Sequence, residues 1–143
     1  MQLKNTALLI LASAFVVLAS LPRTFELLAF KDEVQVGCVN NRGNFITNHL
    51  YCIPFNSNVT VDPTTITAYN KCSCADGMLN CYNPQGAPSL FTKSGADMSL
   101  DGFGTAFSVD SWPVSTDEII GVPLKVGIGM NGTIILQVKA VSG

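Results

Sequence analysis

All five cysteines, Cys38, Cys52, Cys72, Cys74 and Cys81, fall in one short stretch, and no other feature restricts the fold of this chain as much. In an oxidising compartment such a cluster makes a local disulfide framework, whereas cytosolic thiols stay reduced. The N-terminus speaks to the compartment. Residues 1–6 carry one positive charge, Lys4, and residues 7–22 (ALLILASAFVVLASLP) run without a charge up to Arg23. A basic start, an apolar run and small residues at its far end mark a signal peptide over residues 1–19, cleaved after Ala19 or Ser20. The rival is an uncleaved membrane anchor over residues 7–22, whose ~16 residues approach the roughly 17 to 25 needed to cross a bilayer. The expected localisation is secreted and extracellular, with no membrane contact once the leader is gone.

An odd cysteine count leaves the connectivity open, since any one of five can be unpaired and the other four pair in three ways, about 15 arrangements in all. Cys72 and Cys74 would face the same side of an extended strand, near the upper distance limit for a bridge, so different partners are expected for them. The odd thiol is either buried and inert or a link to a second chain, which makes self-association one partner expectation. Two Asn-x-Thr sequons, at Asn58 and Asn131, lie in polar or turn-like stretches and are glycosylation candidates. The formal net charge is −2 and loses one positive charge with Lys4. No basic run exists to neutralise phosphates, so nucleic acid is excluded as a partner.

Residues 20–143 suffice for one compact domain or two small ones. Residues 23–36 do not declare themselves as helix or strand. Residues 20–84 form a cystine-rich β region, with β-prone runs such as 58–67 (NVTVDPTTIT) among Asn, Thr, Pro and Gly. Two prolines and a glycine in residues 82–89 (YNPQGAPS) mark a soft boundary. Residues 85–143 contain no cysteine and alternate with strand periodicity over 103–109 and 122–141, giving a C-terminal antiparallel β unit. The fold class expected is mainly β and sandwich-like: a small cystine-rich region plus a cysteine-free antiparallel β-sheet, after an N-terminal apolar signal helix. Asn131-Gly132 predicts a type I′ hairpin. Its register would set Met130 opposite Thr133, Gly129 opposite Ile134, Ile128 opposite Ile135, Gly127 opposite Leu136 and Val126 opposite Gln137.

The most pattern-like stretch is Cys72-Ser-Cys74-Ala-Asp76-Gly77-Met-Leu-Asn80-Cys81, in which Asp76-Gly77 is a good turn pair. It resembles the C-x-C-x-x-G-x-x-x-C core of von Willebrand factor type C modules and of pacifastin-type protease inhibitors. With Cys38, Gly43 and Cys52 upstream, the resemblance covers roughly residues 37–83, about a third of the chain. The inhibitor family has further cysteines where this chain has Tyr69 and Asn70, and where it has Asn83-Pro84-Gln85. Its inhibitory loop is held between its last cysteines, so no reactive bond is assigned here.

Other chemistry is thinly represented. Asp97, Ser99 and Asp101, followed by Gly102, match the first half of a calcium loop, but the twelfth position, where a bidentate Glu belongs, is Ser108. His49 has no partner at ligand spacing, so no structural metal is expected. With a single histidine and no Gly-x-Ser-x-Gly elbow, no catalytic device and no cofactor are expected. Trp112, in Asp110-Ser-Trp-Pro113, is a core anchor or an exposed contact for sugar or protein. The function expected is that of a secreted, non-catalytic structural or binding protein whose partner is a protein or matrix component outside the cell. A protease inhibitor or effector presenting a cystine-braced loop is the alternative. Inhibition would require residues 80–85 to be pinned at both ends, and Cys81 is one pin. A binding role would use a face near residues 122–128.

Overall fold

The structure, a computed structural model, describes residues 20–114 and 119–141. The signal helix expected over 1–19 lies outside the described residues. Just after it, Leu21 is buried in the core and the Pro22 carbonyl accepts a hydrogen bond from Ser57 Oγ at 2.7 Å.

The chain is mainly β. Its strands are β1 Thr24–Lys31, β2 Val34–Val39, β3 Asn44–Ile46, β4 Phe55–Ser57, β5 Ile66–Thr67, β6 Phe91–Ser94, β7 Asp97–Leu100, β8 Ala106–Ser108, β9 Val122–Pro123, β10 Lys125–Val126 and β11 Ile134–Ala140, with a 3-10 turn at His49–Tyr51. All pairings are antiparallel, and the main path runs β10-β8-β11-β1-β2-β3-β9. Both central strands fork. β1 pairs with β4 at its start and with β2 further along, while β11 pairs with β8 near Ile134 and with β7 at Gln137.

Periodicity explains the centre. Phe25, Leu27 and Ala29 alternate along β1 and are fully buried, and Ile134 and Leu136 do the same on β11. The forks send strands round one core, to which β1, β3, β4, β6 and β8 each give one buried phenylalanine: Phe25, Phe45, Phe55, Phe91 and Phe107. Cys72, Leu79 and Cys81 belong to the same cluster as Phe107, Leu124 and Leu136. Strands from both sides of the 84/85 boundary are thus neighbours in one sheet.

The hairpin register expected at Asn131-Gly132 is not formed. A bridge joins Gly129 to Gly132, which makes Met130 and Asn131 the central pair, and β10 pairs with β8 instead of β11. Gly127 adopts a positive φ of 99° and ends the strand early. β11 takes β1 as its long partner over six residue pairs, from Phe25↔Ala140 to Phe30↔Ile135, which buries the apolar faces of both. The chain does make a two-residue hairpin with positive φ at both central residues, at Asp32 (50°) and Glu33 (67°), joining β1 to β2.

Candidate functional site

The hairpin around Asp76-Gly77 forms, and its register decides the disulfides. Ser73 and Asn80 exchange both backbone hydrogen bonds at 2.9 Å, so Cys72 and Cys81 are the flanking, non-hydrogen-bonded pair, where Cα atoms approach closest. They are bonded to each other, Cα to Cα 4.0 Å, and Cys38 bonds Cys52 across the β2–β3 hairpin and the 3-10 turn at 5.7 Å. Cys74 falls opposite Leu79 and remains a thiol. Its backbone N–H donates to Ser89 Oγ at 2.7 Å, and it borders a cavity of about 340 Å³ with Leu100, Phe103 and Val126. Burial pushes its pKa up to about 12; the Ser89 hydrogen bond opposes this and the Asp76 charge adds to it. The thiolate is therefore scarce at neutral pH.

From this hairpin the chain leaves through an exposed loop, residues 82–88, that is fixed at both ends. At the first end Cys81 is bridged, and Asn80 Oδ1 accepts from the N–H groups of Tyr82 and Asn83, each at 3.0 Å, while its Nδ2 donates to Asn83 O at 3.0 Å. At the second end Ser73 Oγ donates to Ala87 O at 2.8 Å and Ser89 N donates to Cys72 O at 3.1 Å. Gly86 lies so close to Ala75 that a Cβ at 86 would collide with the Ala75 Cβ. The second pin, for which the sequence offers no cysteine, is made of a serine, a glycine and backbone hydrogen bonds.

The turn between β2 and β3 rises beside this loop. Asn40 is almost fully buried and uses its whole carboxamide. Oδ1 accepts from the N–H groups of Arg42 and Asn44, both at 3.0 Å, and Nδ2 donates to the carbonyls of Ile119 and Ile120 at 2.7 and 2.9 Å. Gly43, with a φ of 87°, places the turn where a Cβ would press on Cys81 Sγ and Leu79 O at 3.0 Å. Cys81 N donates to Arg42 O and Tyr69 N donates to Asn41 O, which joins the turn to the cystine hairpin.

Arg42 is left half-buried with its guanidinium 4.3 Å from the Tyr82 ring, and that ring lies 5.0 Å from Tyr69. Among the described residues Arg42 makes no ion pair. On one side of it is a cleft of about 260 Å³ lined by Tyr51, Ile53, Ile119 and Ile120; on the other is one of about 190 Å³ lined by Asn44, Met78, Tyr82 and Pro123. Tyr51, Tyr69, Tyr82, Leu50, Ile119 and Ile120 are all exposed. Tyrosines and arginines on fixed backbone are the residue types that carry binding energy at protein interfaces.

The remaining candidates lie elsewhere. Asn58 is exposed in the turn after β4. Asn131 is exposed beside Trp112, whose ring meets Phe45 edge-on at 4.9 Å with Lys31 Nζ 5.5 Å from its centroid. Trp112 is thus anchored on the core and exposed at once. Asp97 and Ser99 are alternate residues of β7, an extended strand between β6 and β11, and Asp101 begins the next turn. Asp97 pairs with Ser94 and Gln137, and Ser99 with Thr92. Among the described residues no three His, Cys, Asp or Glu side chains gather in a metal-holding group. His49 opens the 3-10 turn, 3.4 Å from Gln35 Nε2. Near residues 122–128, β9 and β10 are paired to β3 and β8, Leu124 is buried and Ile128 is exposed.

Sequence reasoning missed Arg42 and the tyrosines. The signal available was weak: Asn40-Asn-Arg-Gly-Asn44 reads as a turn, and Tyr51 and Tyr82 each adjoin a cysteine, but nothing local says that these segments meet. The chain matches no family model, no curated protein and no solved structure, so the site stands on its own geometry.

Proposed function

We propose that this is a secreted, non-catalytic binding or structural protein of the extracellular space, and that its contact surface is the face formed by Arg42, its tyrosines and the pinned loop. The carrying observation is the loop of residues 82–88, held at both ends with Tyr82 stacked under Arg42. A fixed loop loses little conformational freedom on binding, which removes one of the costs a recognition surface must offset.

Secretion is supported by two disulfides and by Leu21. Disulfides fit an oxidising compartment. Among the described residues no helix is long and apolar enough to cross a membrane. Leu21, at the far end of the apolar run of residues 7–22, is packed in the protein core. The half-buried thiol of Cys74, packed against the core and tucked beside Ser89, favours contact without an interchain bond. The inhibitor or effector reading gains from the second pin and differs in its partner, a protease that closes on residues 82–85.

The test is secretion of the full chain from a eukaryotic host, followed by exposure to extracellular protein fractions with cross-linking. The mature chain starts at residue 20 or 21 and runs as a monomer without reductant. Its cross-links fall on residues 42 and 82–85, and Arg42→Ala with Tyr82→Ala abolishes them while Trp112→Ala does not. Retention in the cell with residues 1–19 intact sinks secretion, and partners indifferent to the Arg42 and Tyr82 changes sink this surface. Stoichiometric inhibition of a protease, lost in the same double variant, selects the inhibitor reading.

A further inference from the structure

The two sequons are alike as triplets and opposite as structures. Asn131 Nδ2 donates to Val109 O at 3.1 Å and to Asp110 O at 2.7 Å. A carboxamide nitrogen has two hydrogens, and both are used here to hold the segment that leads to Trp112. An N-linked sugar replaces one of those hydrogens with a carbon bonded directly to the nitrogen. One carbonyl would lose its partner, and a sugar ring would have to enter the space that carbonyl occupies.

Asn58 presents the reverse arrangement. Its Oδ1 accepts from Thr60 N at 3.0 Å and from Thr60 Oγ1 at 2.6 Å, its backbone N–H donates to Thr64 Oγ1 at 3.2 Å, and no hydrogen bond from its Nδ2 is found among the described residues. The turn is thus held through the carboxamide oxygen and the main chain, the groups that N-glycosylation leaves untouched. Asn58, Val59, Thr60 and Val61 are all exposed, so a glycan there meets solvent.

We infer that Asn58 is an acceptor for an N-linked oligosaccharide and that Asn131 is a structural donor that carries none. In the transfer, Asn58 Nδ2 forms a bond to the anomeric carbon of a lipid-pyrophosphate-linked oligosaccharide. The bond from that carbon to the pyrophosphate oxygen breaks, the lipid pyrophosphate leaves, and one amide proton is released. The inference rests on entry into a glycosylating secretory pathway.

The experiment expresses the full chain in such a host in two forms, with its own N-terminus and with a signal sequence of established function placed before Met1. Intact mass and glycopeptide mapping, before and after N-glycosidase, give the occupancy of each site. The expected result is one glycan, lost completely in Asn58→Gln and retained in Asn131→Gln, with Asn131 unoccupied in the wild type. A glycan on Asn131, or a chain delivered by the added signal with Asn58 bare, overturns the inference. If the native form stays inside the cell unglycosylated while the added signal yields a glycan on Asn58, the secretion reading fails and this one stands.

Discussion

β1 and β11 run side by side over six residue pairs and bury Phe25, Leu27 and Leu136, whereas between Asn40 and Ser89 no strand exceeds three residues. The first region is regular because alternation supplies one continuous apolar face, and apolar burial does not depend on any single polar group. The second has too little apolar periodicity for that. It is held by cystines, by the four carboxamide hydrogen bonds of Asn40 and the three of Asn80, and by close contacts at Gly43 and Gly86. It still gives Phe45, Phe55, Ile66 and Leu79 to the shared core, while Tyr69, Tyr82 and Tyr51 stand outside.

If one core serves both regions, cutting the regular one must release the clamped one. Phe25→Ala removes a fully buried ring stacked 6.0 Å from Phe55 and is expected to cost about 3 to 5 kcal/mol, read as a shift of the urea midpoint. Hydrogen exchange then rises together in β11 and in residues 72–81. Protection kept at 72–81 would show two independent cores. Next in size is removal of the Cys38–Cys52 bridge by a double serine substitution. It closes a loop with sequence separation 14, for which chain entropy gives about 3 kcal/mol. Its loss should loosen the clamped region first, and equal loosening of β1 and β11 would mean that the bridge serves the whole fold. Asn40→Ala is smaller. It orphans the Ile119 carbonyl and the N–H groups of Arg42 and Asn44, while the Ile120 carbonyl keeps Asn44 Nδ2, and about 2 kcal/mol of destabilisation is expected, with exchange rising at residues 42–44 and 119–121. A neutral result would mean that the turn is held by the backbone and Gly43 alone.

The same division decides what was legible in the sequence. The β class and the alternating strands of the C-terminal half follow from periodicity, which reports burial on one face. The β1–β2 turn was not legible, because Asp32 and Glu33 adopt positive φ without the glycine that would announce it, and Asn131-Gly132 announces a register that β1 outcompetes by offering β11 a longer apolar partner. The cystine pairing depends on Ser73 facing Asn80, a register that one residue of slip would change. The Arg42 face joins segments near residues 42, 51, 69, 82 and 119. Their meeting is set by contacts such as Leu79 N to Leu124 O, which no local pattern encodes.

The smallest effect belongs to Asp97, which lies in the regular region but carries a charge. Burial beside β11 raises its pKa above the ordinary aspartate value, so in the fold the neutral form is favoured relative to the unfolded chain. The folded state therefore binds more protons between the two values. Stability falls as pH rises through that window, and the penalty persists at higher pH. Asp97→Asn removes it. The variant should equal the wild type at a pH below the ordinary aspartate value and exceed it at neutral pH, by less than about 0.5 kcal/mol because the half-buried carboxylate is screened by solvent. Thermal midpoints of both proteins across that range, with and without calcium, check the sign. A calcium ion held by Asp97, Ser99 and Asp101 would instead add a stabilisation of the wild type over the variant at neutral pH that appears only when calcium is present.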